Sequence, residues 1–333
     1  MQKDSSFYAL ALSGGAAKGS YQVGALVKLK QLGVEFQFVS GVSVGALNAS
    51  MLATGQLERL VDVWEKTRQK DIIKHRGWVR TGLRWLGHKI GVIKPPEAFY
   101  DTEKLEKLIR NELKGKNVQF PFSVGVVDLG SGRYHDIRYD TGHQLTEEDC
   151  QMIYASAAIP VFFDPMRTKN ELWMDGGVRN ITPLAKAVRQ DPDLVVIIPT
   201  ESYGDPHGAS PFRDVDPNSI RAIDEIGFRA LNILLNEIFR EDIKRFLTVN
   251  HNVLQHREAL LELGVEDPGS LTNLKGRPLK YFEPVLIDPE ESLGDGMDYS
   301  RESFEKRFEA GVRDAENAWK SRQSSEDLIA GKE

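Results

Sequence analysis

The pentapeptide Gly41-Val42-Ser43-Val44-Gly45 constrains this chain more than any other stretch. Residues 36–39 ahead of it read as a strand. Residues 44–53 behind it, rich in Ala, Leu and Met, read as a helix ending near Gly55. A serine between a strand and a helix, with a glycine two residues to either side, sits on a tight turn. The glycines let neighbouring backbone approach without a Cβ in the way. The turn lifts the hydroxyl out of the sheet and sets it at the helix N-terminus, where free N–H groups and the helix dipole favour negative charge. Ser43 is therefore a candidate nucleophile.

A second glycine-rich turn comes earlier. Residues 7–12 form a short apolar run that stops at Ser13-Gly14-Gly15, as a buried strand would. Gly14-Gly15-Ala16-Ala17-Lys18-Gly19 then opens a helical pattern over 20–32, with Gly33 placed to cap its end. Consecutive N–H groups at such a helix start can bind an oxyanion. A dinucleotide site would need glycine where Ala16 stands, and a P-loop would need lysine where Ser20 stands. In a parallel sheet both turns lie at the same carboxyl edge, so one site can hold a nucleophile and its N–H donors.

Further apolar runs at 122–127, 172–174, 194–198 and 281–287 alternate with helical patterns at 102–113, 147–157, 220–247 and 301–320. The alternation predicts an α/β fold with a central, mainly parallel sheet flanked by helices. We expect one domain over 7–320 and a flexible polar tail over 321–333. With 41% hydrophobic and 28% charged residues, the chain of 333 residues reads as a soluble globular protein. Its net charge of -6 gives no reason to expect nucleic acid. Cys150, the one cysteine, excludes an internal disulfide and is expected to be buried on a helix. No zinc site is implied. The chain has no signal-like start and no apolar run near the roughly 18 residues of a membrane span, which predicts a cytoplasmic protein, free or peripheral at a membrane.

Four stretches, taken in order, resemble the patatin-like phospholipases. Gly14 to Gly19 resembles that family's oxyanion loop, and Gly41 to Gly45 its nucleophile elbow. Ala155-Ser156-Ala157-Ala158-Ile159-Pro160 is similar to a characteristic helix end, and Asp175-Gly176-Gly177 to the aspartate motif. The resemblance spans roughly residues 7–200. It implies a Ser-Asp dyad in which Ser43 attacks an ester carbonyl and Asp175 acts as base or orienting group. It also implies oxyanion N–H groups from Gly14, Gly15 and Ala16, with Lys18 and Gly19 supporting the loop. The family often has glycine where Ala16 stands, so a Cβ there could narrow the hole. Lys18 occupies a position that is commonly arginine. The implied reaction is hydrolysis of a phospholipid or other lipid ester through an acyl-serine, with no metal or organic cofactor. Acyl transfer and thioester hydrolysis are alternatives that use the same residues, and a silent lipid-binding scaffold is a third. Homo-oligomers are left open.

A Ser-Asp-His order would admit His207, His251 or His256, none of which sits in a distinctive motif. Between Lys66 and Lys94, basic residues outnumber acidic ones. On a helix, Arg76, Arg80, Arg84 and His88 face one way; Trp78, Val79, Leu83, Trp85, Leu86 and Ile90 face the other. Trp78, Arg80, Arg84 and Trp85 are thus candidates for a lid or membrane-docking element. An ordinary amphipathic surface helix is the alternative.

Overall fold

The computed structural model describes residues 6–76, 97–204, 222–265 and 280–329. Trp78, Arg80, Arg84 and Trp85 lie outside the described residues. Arg76 is described, and its guanidinium pairs with Asp164.

The chain alternates strand and helix from the start. The first half holds β1 (Tyr8–Leu12), α1 (Gly19–Gln31), β2 (Phe38–Val42), α2 (Val44–Ala53), α3 (Leu57–Lys66) and α4 (Gln69–Ile72). A short pair, β3 (Lys74–His75) and β4 (Tyr100–Asp101), precedes α5 (Glu103–Leu113) and β5 (Phe122–Asp128). Then come β6 (Tyr134–Tyr139), α6 (Glu147–Ser156), β7 (Met166–Arg167), β8 (Leu172–Asp175), α7 (Leu184–Val188) and β9 (Leu194–Ile198). A long α8 (Ile223–Glu262), β10 (Glu283–Leu286) and α9 (Arg301–Ile329) complete it.

The main sheet runs β10-β9-β1-β2-β5-β8-β7, with β6 also on β5. From β10 through β9, β1 and β2 to β5, each strand runs parallel to the next. Both faces are covered, which is why β1, β2 and β9 are nearly continuous buried runs. Alternate side chains part to the two faces. Leu10, Leu12, Val39, Val196 and Ile198 join the core under α1, α2, α6 and α9. Ala9, Ala11, Phe38, Val195 and Ile197 join the smaller core with α7 and α8, through Leu184, Phe239 and Ile243.

The other end of the sheet departs from the parallel expectation. β6 pairs antiparallel along the whole of β5, Phe122↔Tyr139 to Val127↔Tyr134. On β5's opposite edge, β2 pairs with Phe122 to Gly125 and β8 with Val126 to Asp128, the latter antiparallel. β2 and β8 therefore meet end to end on one edge of β5. The residue after β2 is Ser43, and the last residue of β8, opposite Val126, is Asp175.

The ends of the last two helices also differ from the sequence reading. α8 continues to Glu262 rather than ending near Leu247, because Asn250 bonds the backbone of Phe282 through both its amide groups and so anchors the helix beside β10. α9 is helical to Ile329, so the segment expected as a tail from Ser321 is helix as far as it is described.

α9 lies tightly on α1. A Cβ at Gly24 would overlap the Phe308 carbonyl oxygen, and one at Gly311 would overlap the Tyr21 carbonyl oxygen. Two backbones this close leave no room for side chains at the crossing. Gly311→Leu should force the helices apart and cost about 3 kcal/mol. The urea midpoint measures it; an unchanged midpoint would mean the crossing is looser than described.

Candidate active site

Ser43 sits at φ 56°, ψ -128°, a left-handed conformation that a serine adopts only when its surroundings impose it. The motif glycines supply that constraint. A Cβ at Gly41 would strike the Gly45 carbonyl oxygen, and one at Gly45 would strike that of Leu12. The strand, turn and helix can thus fold back against β1 only with glycine at both places. Ser43 ends at the N-terminus of α2, as expected for an elbow.

Asp175 is buried, and its Oδ1 accepts from the Gly177 N–H at 2.7 Å. The Ser43 side chain stands next to it and favours its charged form. Burial penalises the charged form and raises its pKa to about 7. Gly177 and Ser43 pull the other way without cancelling it.

The end of α6 locks the two residues together. Ser156 Oγ accepts from the Ser43 N–H at 3.0 Å and donates to the Gly125 carbonyl at 2.6 Å. Two residues on, the Ala158 carbonyl accepts from the Asp175 N–H at 3.1 Å. One helix end therefore fixes the serine, the aspartate and β5 in register. The sequence marked this stretch only as a resemblance; Ser156 as the clamp was missed.

The glycine-rich loop lies beside Ser43. The Gly14 N–H is already committed to the Ile181 carbonyl at 3.1 Å, which removes it from the expected oxyanion donors. Gly14 provides space instead, since a Cβ there would come within 3.0 Å of Ser43 Cβ. The N–H groups of Gly15 and Ala16 have no partner among the described residues, and both residues line the cavity at Ser43. Ala16 stands at φ 50°, where glycine would be unstrained. Its Cβ is accommodated, but the loop has to be held.

The holding groups come from far along the chain. Thr200 Oγ1 donates to the Gly14 carbonyl, and Lys18 pairs with Glu201. A Cβ at Gly19 would strike Val44, so this glycine lets the loop lie on the elbow helix. The Ala17 N–H donates to the Gly296 carbonyl at 2.8 Å. Arg307 of α9, buried, donates to the carbonyls of Ala17, Leu293, Asp295 and Asp298. Asp242 of α8 accepts from the N–H groups of Ile181 and Thr182, and Ile181 in turn receives Gly14. None of Thr200, Asp242, Gly296 or Arg307 sits in a motif, and no local pattern marks them.

Two cavities meet at Ser43, and Ala16 and Ile159 line both. The larger holds about 780 Å³ of free space, mouth included. It is an apolar slot along α2 between α3 and α5, lined by Leu47, Met51, Leu60, Trp64, Leu105 and Ile109. Tyr299 stacks on Trp64 and closes one side. The smaller, about 470 Å³, holds Asp175, Lys18, Glu201 and Asn232 and is flanked by Phe228 and Leu231 of α8. No described histidine lines either cavity; His251 and His256 are exposed on α8, and His207 lies outside the described residues. Cys150 is buried on α6, as expected.

A serine hydroxyl beside a buried carboxylate, with the N–H groups of Gly15 and Ala16 and an apolar slot next to it, can attack a carbonyl whose tail is apolar. A family model described as patatin-like phospholipase matches residues 10–188. An uncharacterized NTE family protein of Mycobacterium tuberculosis is 26% identical over 213 residues, 63% of this chain and 52% of that protein. The neuropathy target esterase sws of Drosophila persimilis is 23% identical over 177 residues, 52% of this chain and 11% of that protein. The chain thus spans about half or less of these curated relatives. Among solved structures, VipD from Legionella pneumophila aligns with a TM-score of 0.43 and 14% identity, over 96% of this chain and 67% of that one.

The raised pKa of Asp175 has a consequence for stability. The folded state holds the proton more tightly than the unfolded chain, so the stabilisation is complete below the ordinary carboxylate value of 3.8 and is lost as pH rises through about 7. Asp175→Asn has no charge to bury and keeps an acceptor for Gly177. At pH 8 it should be more stable than the parent by up to about 4 kcal/mol, a gap that closes near pH 4. Melting temperatures across that range test it; parallel curves would contradict a buried, charge-averse Asp175.

Proposed function

This chain belongs to the patatin-like phospholipase family, and from that premise we propose that it hydrolyses carboxylic esters of lipids, with Ser43 as nucleophile and Asp175 as base. The observation that carries the reading is the placing of Ser43 beside buried Asp175, both held by the end of α6, where an apolar slot meets a polar one. The acyl chain lies in the slot along α2, and the alcohol portion leaves through the cavity that holds Lys18 and Glu201.

Asp175 takes the hydroxyl proton as Ser43 Oγ bonds to the ester carbon. A carboxylate with its pKa near 7 is a far better base than one near 4. Desolvation thus makes an aspartate do work that commonly falls to histidine. The developing oxyanion is held by the N–H groups of Gly15 and Ala16, aided by the N-terminus of α2. Asp175 returns the proton to the departing alcohol and leaves an acyl-Ser43 ester. A water deprotonated by Asp175 then attacks that ester, and Ser43 recovers its proton as the fatty acid leaves.

On a soluble ester, kcat/KM should fall as pH drops through about 7, because the protonated Asp175 cannot act as base. Ser43→Ala should lower turnover of the same ester by about 10⁴-fold or more. Turnover of a lysophospholipid by Ser43→Ala at the parent rate would refute the assignment.

The slot also predicts chain-length selectivity. Met51 lines it about 10 Å along α2 from Val44. Met51→Trp should fill the far end and reduce palmitoyl-ester turnover about tenfold relative to butyryl-ester turnover. Equal losses on both esters would place the acyl chain elsewhere.

A further inference from the structure

α8 is apolar on two opposite faces over its first turns. Phe228, Leu231 and Leu235 point inward and line the cavity at Ser43 and Asp175. On a helix advancing 100° per residue, Ile226, Ala230 and Ile233 fall on the opposite side, and Leu234 on the flank next to them. There Ile226 is 53% exposed, Ile233 50% and Leu234 63%. A helix of a soluble domain ordinarily shows charge on its outer face. α8 does so from Glu237 onward, where Glu237, Glu241, Lys244 and Arg245 are exposed. The apolar outer stripe coincides with the part of the helix that roofs the active site and ends where the roof ends.

A second apolar element stands beside it. Val161 is 62% exposed at φ 70°, a conformation that a β-branched residue rarely adopts. It follows Ile159, which lines both cavities, and precedes Phe162, whose ring stands edge-on to Phe228 at 5.2 Å. The Phe99 N–H donates to the Val161 carbonyl at 3.0 Å and fixes the strained turn. The wall of the cavity thus presents apolar tips to water from two separate elements, joined through one aromatic contact.

We propose that the first turns of α8, with Val161, are the surface by which the protein settles on a lipid layer. Ile226, Ile233 and Leu234 enter the acyl boundary, while the inner face of the same turns guides an acyl chain toward Ser43. This rests on the proposed esterase reading, since the occupant is the aggregate that supplies the substrate. The patch commits the contact to apolar insertion rather than charge. Exposed positions from Ile226 to Leu234 carry no acidic side chain, and the one cation in the stretch, Arg229, is only partly exposed. Among the described residues no helix is long and apolar enough to cross a membrane, so the contact lies in the interface.

The probe is a sedimentation assay with neutral phosphatidylcholine vesicles at low and at high salt. Binding should occur and survive high salt, because apolar insertion is not screened. The triple variant Ile226→Gln, Ile233→Gln, Leu234→Gln should bind about tenfold more weakly and hydrolyse vesicle lipid correspondingly less. Its turnover of a soluble butyryl ester should match the parent's, because none of the three lines the site. Unchanged vesicle binding by the variant would overturn the proposal. So would binding that requires anionic lipid and disappears at high salt. A parent dimer that the variant converts to monomer, with vesicle binding intact, would also overturn it and make the stripe a contact between copies. A failure of the esterase reading looks different: the soluble ester would not be turned over at all, whatever the vesicles do.

Discussion

Everything at this site depends on one edge of β5. β2 occupies that edge as far as Gly125 and stops; β8 comes from the opposite direction and ends at Val126. A continuous neighbour would have filled the edge with ladder hydrogen bonds. The break leaves a gap in which the chain after β2 turns sharply into α2 and the last residue of β8 turns into Gly176-Gly177. Ser43 and Asp175 are the two residues at that gap. Their distance in sequence is bridged by the end of α6, which bonds one through Ser156 and the other through Ala158. A carboxylate set in such a place is necessarily desolvated. The raised pKa of Asp175 is thus a product of the topology rather than of a neighbouring charge.

The two glycine-rich turns of the first half are held in shape by the second half. The loop that presents Gly15 and Ala16 is strained at Ala16, and strained loops persist only where their surroundings over-determine them. Thr200, Asp242, the Gly296 carbonyl and Arg307 do so from β9's end, α8, the loop before α9, and α9 itself. Tyr299 closes the apolar slot from the same loop. The segment beyond residue 200, which carries no motif, is therefore part of the site. Its contribution is to anchor backbone and wall the cavities.

How much of this was legible beforehand follows from what each element looks like to water. β1 and β9 read clearly because strands buried on both faces are runs of apolar residues. β2 was placed two residues early, since Ser40 and Gly41 look like turn residues although both lie buried in the strand. β6, Tyr-His-Asp-Ile-Arg-Tyr, went unseen because it is mostly half-buried and mixes polar with aromatic residues. The antiparallel entry of β8 has no local signature at all. Ser43 stands out as a candidate from its glycine neighbours, whereas Asp175 does so only through the resemblance of Asp175-Gly176-Gly177 to a family motif. The family resemblance implies Gly14 as a donor; only the Ile181 carbonyl shows that its N–H is taken. Isolated polar residues such as Asp242 and Arg307 gain meaning only from partners brought close by the fold.

The central claim is that Ser43 is a nucleophile made reactive by a buried carboxylate. Covalent trapping tests it most directly: incubation with an alkyl fluorophosphonate, followed by intact-mass and peptide mass spectrometry. The account predicts one adduct per chain, on the peptide bearing Ser43. Its formation should accelerate as pH rises through about 7 and slow sharply in Asp175→Asn. An adduct on another residue, or a rate indifferent to both pH and Asp175, would contradict it.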